Sequence, residues 1–162
     1  VLYLTSREVA TCYLGETKVG EPQKDGLKRL LVIAFGRAEG KNGTEKPAKR
    51  LPLSSLCVYK DEPGEPVKAI LRAARLAPSS FNSQPWRFVV YSDRIYIFAK
   101  KSAVSPVKAL SSMRDFNMGI MLSHIMLAAE ELWMNMETVT EEQFLKKTYK
   151  NGEYICTIVF HS

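Results

Sequence analysis

The chain has 162 residues, of which 46% are hydrophobic, 10% aromatic and 25% charged. This composition is typical of one globular domain and excludes collagen-like, disordered and minimal disulfide-stabilised proteins. The three cysteines and two histidines show no metal-binding spacing, so we expect free thiols, no metal site and a cytoplasmic protein. We expect no membrane span, because polar residues interrupt the most apolar stretch, 118–136, and no signal peptide, because the sequence does not open on a charged segment followed by a short apolar core.

The net charge of +6 is concentrated in one segment. Between Lys18 and Arg50, nine Lys or Arg residues stand against four acidic residues, an excess of +5. A local excess favours an anionic group such as a phosphate at that site. Nucleic-acid binding is a further hypothesis for a basic chain, but aromatic residues do not alternate with basic ones as a nucleic-acid-binding sheet requires. We therefore expect no nucleic acid as a partner.

The N-terminal part predicts a helix, a loop and a strand. Roughly helical spacing of apolar residues predicts a helix over residues 1–14, with Gly15 as its stop. The continuous apolar run 30–36 is short enough to be a buried strand. The basic segment 37–55, which contains glycines and prolines, is either a long connector or a boundary between two halves.

The middle of the chain predicts a helix followed by a hairpin. Apolar residues at helical spacing begin after Pro66, which suits a first helical turn, and Pro78 ends the helix at the preceding residue. The β-rich runs 87–91 and 94–100 predict two strands joined by a turn at Ser92 and Asp93.

The C-terminal part predicts a long helix, a short helix and a final strand. Asp115 is the expected N-cap of a buried helix that runs to about Met134, and Thr140 opens a capping box for a short helix. Residues 154–160 are the last predicted strand. The order of a helix, a polar link and a strand occurs twice, which suggests one complete unit, 53–162, preceded by the back half of another, 1–52.

Few side chains suit acid–base or nucleophilic catalysis. His124 is interpreted as a core or interface histidine, the methionines of 118–136 as core packing, and Glu130 with Glu131 as a solvated helix edge. No serine, cysteine or carboxylate forms a catalytic arrangement with a histidine. An enzyme with this sequence therefore obtains its chemistry from a cofactor.

The most informative stretch is the loop PSSFNSQPW at 78–86. Ser79, Ser80 and Asn82 place short polar groups within one turn, and Gln84 adds an amide. Such a loop can hydrogen-bond a flat heterocycle that carries donors and acceptors on its rim. From the residues alone, an ordinary connector whose side chains cap the neighbouring backbone is the alternative.

Three motifs resemble the FMN-dependent nitroreductase family. ARLAPSSFNSQPWRFVV (74–90) strongly resembles the family signature, a helix followed by A-P-S-x-x-N-x-Q-P-W and a strand. TCYLG (11–15) is similar to the family's turn beside the flavin. The basic segment that ends in KRLP (49–52) is similar to the segment that holds the FMN phosphate. The order of the motifs resembles a subfamily in which two half-sized units in one chain imitate the usual homodimer.

This resemblance implies an α+β, nitroreductase-like fold with helices flanking a mostly antiparallel sheet and a long buried central helix. It also implies an FMN-dependent oxidoreductase that uses NAD(P)H to reduce a small nitroaromatic or quinone-like acceptor, without a catalytic side-chain acid. The residues that the resemblance assigns to the isoalloxazine edge are Pro78, Ser79, Ser80 and Asn82; to its pyrimidine and N5 side, Leu14, Gly15 and Glu16; and to the phosphate, Lys49 and Arg50. A solvated loop is the alternative for the two basic residues.

One departure from the family affects the expected assembly. The N-terminal R-R-S-x-R motif of the family and a second P-S-x-x-N loop are absent from the 162 residues. We therefore expect a C-terminal part of a longer protein, completed by an upstream segment or by a homodimer partner. The alternative function is a flavin-free remnant or regulatory domain that keeps the fold without turnover.

Overall fold

A computed structural model describes residues 1–14, 31–37, 49–101, 108–150 and 152–161. Predictions that concern other residues, including those for Gly15 and Glu16, lie outside this set. The chain divides into two compact units, Val1–Ala48 and Lys49–Ser162.

In the first unit, the predicted helix over residues 1–14 is wrong. A single helical turn, α1 (Leu2–Thr5), is followed by strand β1 (Ala10–Leu14), which pairs antiparallel with β2 (Val32–Gly36). Aromatic and β-branched residues in β1 favour a strand when a partner strand is present. The spacing of apolar residues along the sequence does not indicate that β2 is that partner. The predicted strand at 30–36 is confirmed as β2, but it is not buried, since Phe35 is 71% exposed.

The second unit is built on a five-stranded sheet with the order β3-β4-β5-β7-β6. Its strands are β3 (Cys57–Tyr59), β4 (Trp86–Val90), β5 (Arg94–Lys100), β6 (Asn135–Val139) and β7 (Gly152–His161). β3 runs parallel to β4 and every other pairing is antiparallel, so the mostly antiparallel sheet is confirmed. The predicted hairpin and final strand are present, whereas sequence patterns missed the two edge strands, β3 and β6.

Helices α2 (Leu53–Leu56), α3 (Glu65–Leu76) and α4 (Lys108–Glu131) precede and follow the central hairpin. The predicted α3 is confirmed, and it buries its apolar stripe, Val67, Ile70, Leu71 and Ala74, in the core. Helix α4 begins before the expected cap, so Asp115 lies inside the helix and not at its start. The strong helix formers among residues 108–114 extend the helix past a single capping signal.

The long central helix is present, and its burial is one-sided. Met118, Met121, Ile125 and Ala129 lie in the core cluster, which they share with the inner face of the sheet. On another side of the same helix, Met126 is 55% exposed. The apolar residues around this helix therefore do not all contribute to the core of the chain. Among the described residues, no helix combines the length and apolar character that crossing a membrane requires.

The opposite face of the sheet carries a second, aromatic cluster. Tyr96 and Tyr154 contact Phe144 of the short helix α5 (Glu142–Leu145), with ring centroids 4.9 and 5.2 Å apart. The expected capping box at Thr140 does not form, because Glu141 is the N-cap residue and makes no side-chain cap bond. The carboxylate of Glu141 points instead into a hydrogen-bonded network beneath the helix, since its Oε1 accepts from Thr157.

Candidate functional site

The polar loop at 78–86 connects α3 to β4 and has a well-defined conformation. Residues Ser80–Asn82 form one 3-10 turn, and Phe81, Asn82 and Gln84 have φ angles of 53°, 52° and 43°. L-residues rarely adopt this left-handed region, so surrounding hydrogen bonds must hold the loop in place. The loop therefore has a specific conformation that its hydrogen bonds stabilise.

Asn117 of α4 fixes the middle of the loop. Its Oδ1 accepts a hydrogen bond from the Ser80 backbone N–H at 2.9 Å, and the Ser80 hydroxyl lies 3.2 Å from the same oxygen. The Asn117 side chain is buried, with the residue only 4% exposed. Sequence reasoning missed this residue. The sequence does contain an indication of its role, namely an asparagine within an apolar helix, because a buried amide requires hydrogen-bond partners.

The hydroxyl group of Ser79 connects the two ends of the loop. Its Oγ accepts a hydrogen bond from the Gln84 backbone N–H at 2.9 Å. The hydroxyl proton of Ser79 has no acceptor within the described part of the chain. A serine hydroxyl is both a donor and an acceptor, so Ser79 can still donate to a ligand.

Residues 49–51, called the strap below, lie against this loop without regular secondary structure. Four hydrogen bonds from side chains hold the strap. Asn82 Nδ2 donates to the Lys49 carbonyl at 2.7 Å, and Gln84 Oε1 accepts from the Leu51 N–H at 2.8 Å. Arg75 donates to the other two carbonyls, from Nε to Leu51 at 2.7 Å and from Nη2 to Arg50 at 3.3 Å. These bonds bring the two predicted phosphate-binding residues to the predicted flavin-binding loop.

The guanidinium of Arg50 caps the C-terminus of α3. Its Nε and Nη2 donate to the carbonyl of Leu76 at 3.3 and 3.2 Å, and its Nη1 donates to Asn82 Oδ1 at 3.0 Å. The last carbonyls of a helix lack partners within the helix and carry partial negative charge, which a cation stabilises. No carboxylate of the described residues pairs with Arg50, Arg75 or Lys49. Counted over the described residues, the cluster therefore carries a net positive charge.

His124 lies on α4 near the same cluster. Removal from solvent lowers the pKa of His124 below its ordinary value, and the positive charge of Arg50 lowers it further, against a raising effect from a backbone bond at Ala73. The imidazole is therefore mostly neutral at pH 7 and adds no charge to the site.

The structure assembles six of the nine predicted site residues in one place. Pro78, Ser79, Ser80 and Asn82 are in the loop, and Lys49 and Arg50 are in the strap that Asn82 contacts. Leu14 is the last residue of β1 in the other unit, where it is half-buried. The two residues predicted to follow Leu14 at the flavin lie outside the described part, so the role of 14–16 remains a prediction.

Comparisons with known proteins agree on the family. A protein of Archaeoglobus fulgidus named "Putative NADH dehydrogenase/NAD(P)H nitroreductase" is 50% identical over 42 residues, which is 25% of this chain and 24% of that protein. A solved Thermotoga maritima structure, described as a putative nitroreductase, superposes on 98% of this chain and 58% of its own, with a TM-score of 0.60 and 21% identity.

A second solved structure, a nitroreductase of Desulfovibrio desulfuricans in complex with FMN, has a TM-score of 0.50 and 19% identity over 69% of this chain and 86% of its own. These structural likenesses show a nitroreductase-like fold. The chain spans only part of the length of the Archaeoglobus and Thermotoga proteins. The model of a family described as "Putative TM nitroreductase" matches residues 1–129, so the chain belongs to that nitroreductase family.

Proposed function

We propose that the chain is part of an FMN-dependent oxidoreductase that passes electrons from NAD(P)H to a small nitroaromatic or quinone-like acceptor. The main observation in support is that the loop at 78–86 and the cationic residues Lys49 and Arg50 lie in one hydrogen-bonded cluster. Family membership supports an oxidoreductase, the Desulfovibrio structure holds FMN, and the Archaeoglobus protein is named for NAD(P)H.

The donors in the cluster fit the chemistry of FMN. The flavin mononucleotide presents a phosphate dianion at one end and a flat ring with polar edges at the other. Among the described residues, three of the five Arg50 N–H groups have acceptors and two do not, and Lys49 Nζ has no partner. These remaining donors suit a phosphate. The hydroxyl proton of Ser79, which has no acceptor among the described residues, can be donated to an acceptor atom on the edge of the flavin ring.

In this proposal, Lys49 and Arg50 bind the phosphate, while Pro78, Ser79 and Ser80 lie along the ring edge. For Leu14, Gly15 and Glu16, the family resemblance implies a role at the pyrimidine and N5 side of the ring. FMN, when bound, supplies the hydride-accepting ring. The protein's residues hold the cofactor, orient it toward the acceptor and need not supply a catalytic acid.

We also propose that the chain carries parts of two nitroreductase-like units. Residues 1–52 and 53–162 would be parts of two nitroreductase-like units, completed by an upstream segment of the same polypeptide or by a second copy of the chain. Support comes from the division of the chain into two compact units, Val1–Ala48 and Lys49–Ser162, near the proposed boundary at residue 52.

A flavin titration tests the proposed function. FMN is added to the purified chain, binding is followed by quenching of flavin fluorescence, and NADH or NADPH oxidation is measured with a nitroaromatic acceptor. We expect saturable FMN binding and acceptor-dependent turnover. Light scattering with and without FMN reports whether two copies assemble on the cofactor. Absence of both binding and turnover contradicts the proposal and favours the flavin-free alternative.

A further inference from the structure

The side-chain amide of Asn82 is engaged at both ends. Its Nδ2 donates to the Lys49 carbonyl at 2.7 Å, while its Oδ1 accepts from Arg50 Nη1 at 3.0 Å and from Gln84 Nε2 at 3.2 Å. A carboxamide offers two N–H donors and two lone pairs on oxygen. Both lone pairs and one donor are therefore used within the chain, which leaves at most one N–H for any ligand.

The strap depends on side chains for its conformation. Its three carbonyls and the Leu51 N–H all bond to side chains of Arg75, Asn82 and Gln84. In the described part of the chain, no backbone group bonds to the strap. Since backbone polar groups require partners, removing one of these side chains changes the strap directly.

Asn82 also sets the plane of the Arg50 guanidinium. That group is held between the Leu76 carbonyl and Asn82 Oδ1, with acceptors on two sides. A guanidinium fixed in this way has a defined orientation before a ligand arrives. Such preorganisation favours binding because less side-chain freedom is lost.

We propose that Asn82 is a positioning residue, which holds the strap so that Lys49 and Arg50 meet a phosphate, and that it does not bind the flavin ring. This inference rests on the proposed function for the identity of the ligand. The family resemblance instead implies that Asn82 contacts the edge of the flavin ring. A contact with the ring affects FMN and riboflavin equally, whereas a positioning role at the phosphate end affects FMN alone.

The test compares two flavins that differ only in the phosphate. The dissociation constants of FMN and riboflavin are measured for the full chain and for Asn82→Gly. Glycine is chosen because Asn82 has a φ of 52°, which alanine adopts only with strain. We expect FMN affinity to fall about two- to tenfold, as for loss of one or two hydrogen bonds, while riboflavin affinity stays within about twofold. Equal losses for both flavins would overturn the positioning role.

A double variant tests the coupling between the two residues. If Asn82 acts through Arg50 and the strap, Asn82→Gly lowers FMN affinity by a smaller factor in the Arg50→Ala background than in the unaltered chain. Fully additive losses contradict the proposal. Asn135→Ala is the matched control, because Asn135 is an exposed asparagine on β6, and it should leave both flavin affinities unchanged.

Hydrogen exchange gives a readout that requires no flavin. In Asn82→Gly, we expect the amide of Leu51 to exchange several-fold faster, while amides of the central strand β5 keep their protection. Unchanged exchange at the strap overturns the positioning role even if FMN affinity falls. If the unaltered chain binds neither flavin, the proposed function fails, and the exchange measurement still decides whether Asn82 holds the strap.

Discussion

Two polar networks lie on opposite sides of the second unit's fold, and they differ in how completely they are satisfied. Beneath α5, Tyr154 Oη lies 2.7 Å from Thr157 Oγ1, which donates to Glu141 Oε1 at 3.0 Å. At the loop and strap, Ser79 and Arg50 have donors without an acceptor among the described residues, and none of these residues supplies a carboxylate that pairs with Arg50. The first network is closed and stabilises the fold, whereas the second has capacity for a ligand.

The largest expected effect on stability comes from breaking the closed network. Thr157→Val keeps the side-chain volume but removes a fully buried hydroxyl, so Tyr154 and Glu141 each lose a partner. We expect the free energy of unfolding to fall by about 1–3 kcal/mol, measured by urea denaturation. Thr138→Val, at an exposed position on β6, is the control and should change stability by less than about 0.5 kcal/mol. Equal effects of both variants would contradict a stabilising network.

Asn117→Ala tests the inner support of the loop. The Ser80 N–H and hydroxyl lose their shared acceptor, so we expect the unfolding free energy to fall by about 1–2 kcal/mol. If Ser80 lies at the ring edge, FMN and riboflavin affinities fall together, which separates this variant from changes at the phosphate end. Ser123→Ala, on an exposed position of the same helix, should leave both affinities unchanged. A loss restricted to FMN would place Ser80 elsewhere.

Lys49→Ala tests the phosphate end without disturbing the strap. The Lys49 side chain is exposed and makes no bond to the described residues, while its backbone carbonyl remains available to Asn82. We expect FMN affinity to fall about two- to fivefold at low salt and less at high salt, with riboflavin unaffected. Arg72→Ala removes a comparable surface cation from α3 and should change neither affinity. Equal losses for FMN and riboflavin would contradict phosphate binding by Lys49.

The smallest effect on stability is expected at Gly119, which belongs to neither network. A Cβ built on this exposed residue of α4 meets no atom within 4 Å. Gly119→Ala should therefore raise the unfolding free energy by about 0.5–1 kcal/mol, since alanine favours the helix. Thermal unfolding measures the gain, and flavin affinity should not change. A changed flavin affinity would contradict the placement of Gly119 outside the site.

The sequence alone determined those elements whose signals are local. Pro66 and Pro78 mark the first turn and the end of α3, and two β-rich runs joined at Ser92 and Asp93 indicate the β4–β5 hairpin, because these patterns depend only on neighbours along the chain. The polar loop between them was equally evident. Its association with Lys49 and Arg50, however, came from family resemblance, since nothing in the spacing of these residues brings them together.

Tertiary structure decided the remaining features, because each depends on a partner distant in sequence. Residues 10–14 became a strand by pairing with β2, and β6 formed by pairing with β7, although neither segment alternates clearly. Asn82 reaches across 33 residues to the Lys49 carbonyl, and Ser80 across 37 to Asn117. An amide side chain has the same chemistry whether it binds a ligand or the chain, so only the folded geometry distinguishes the two roles of Asn82.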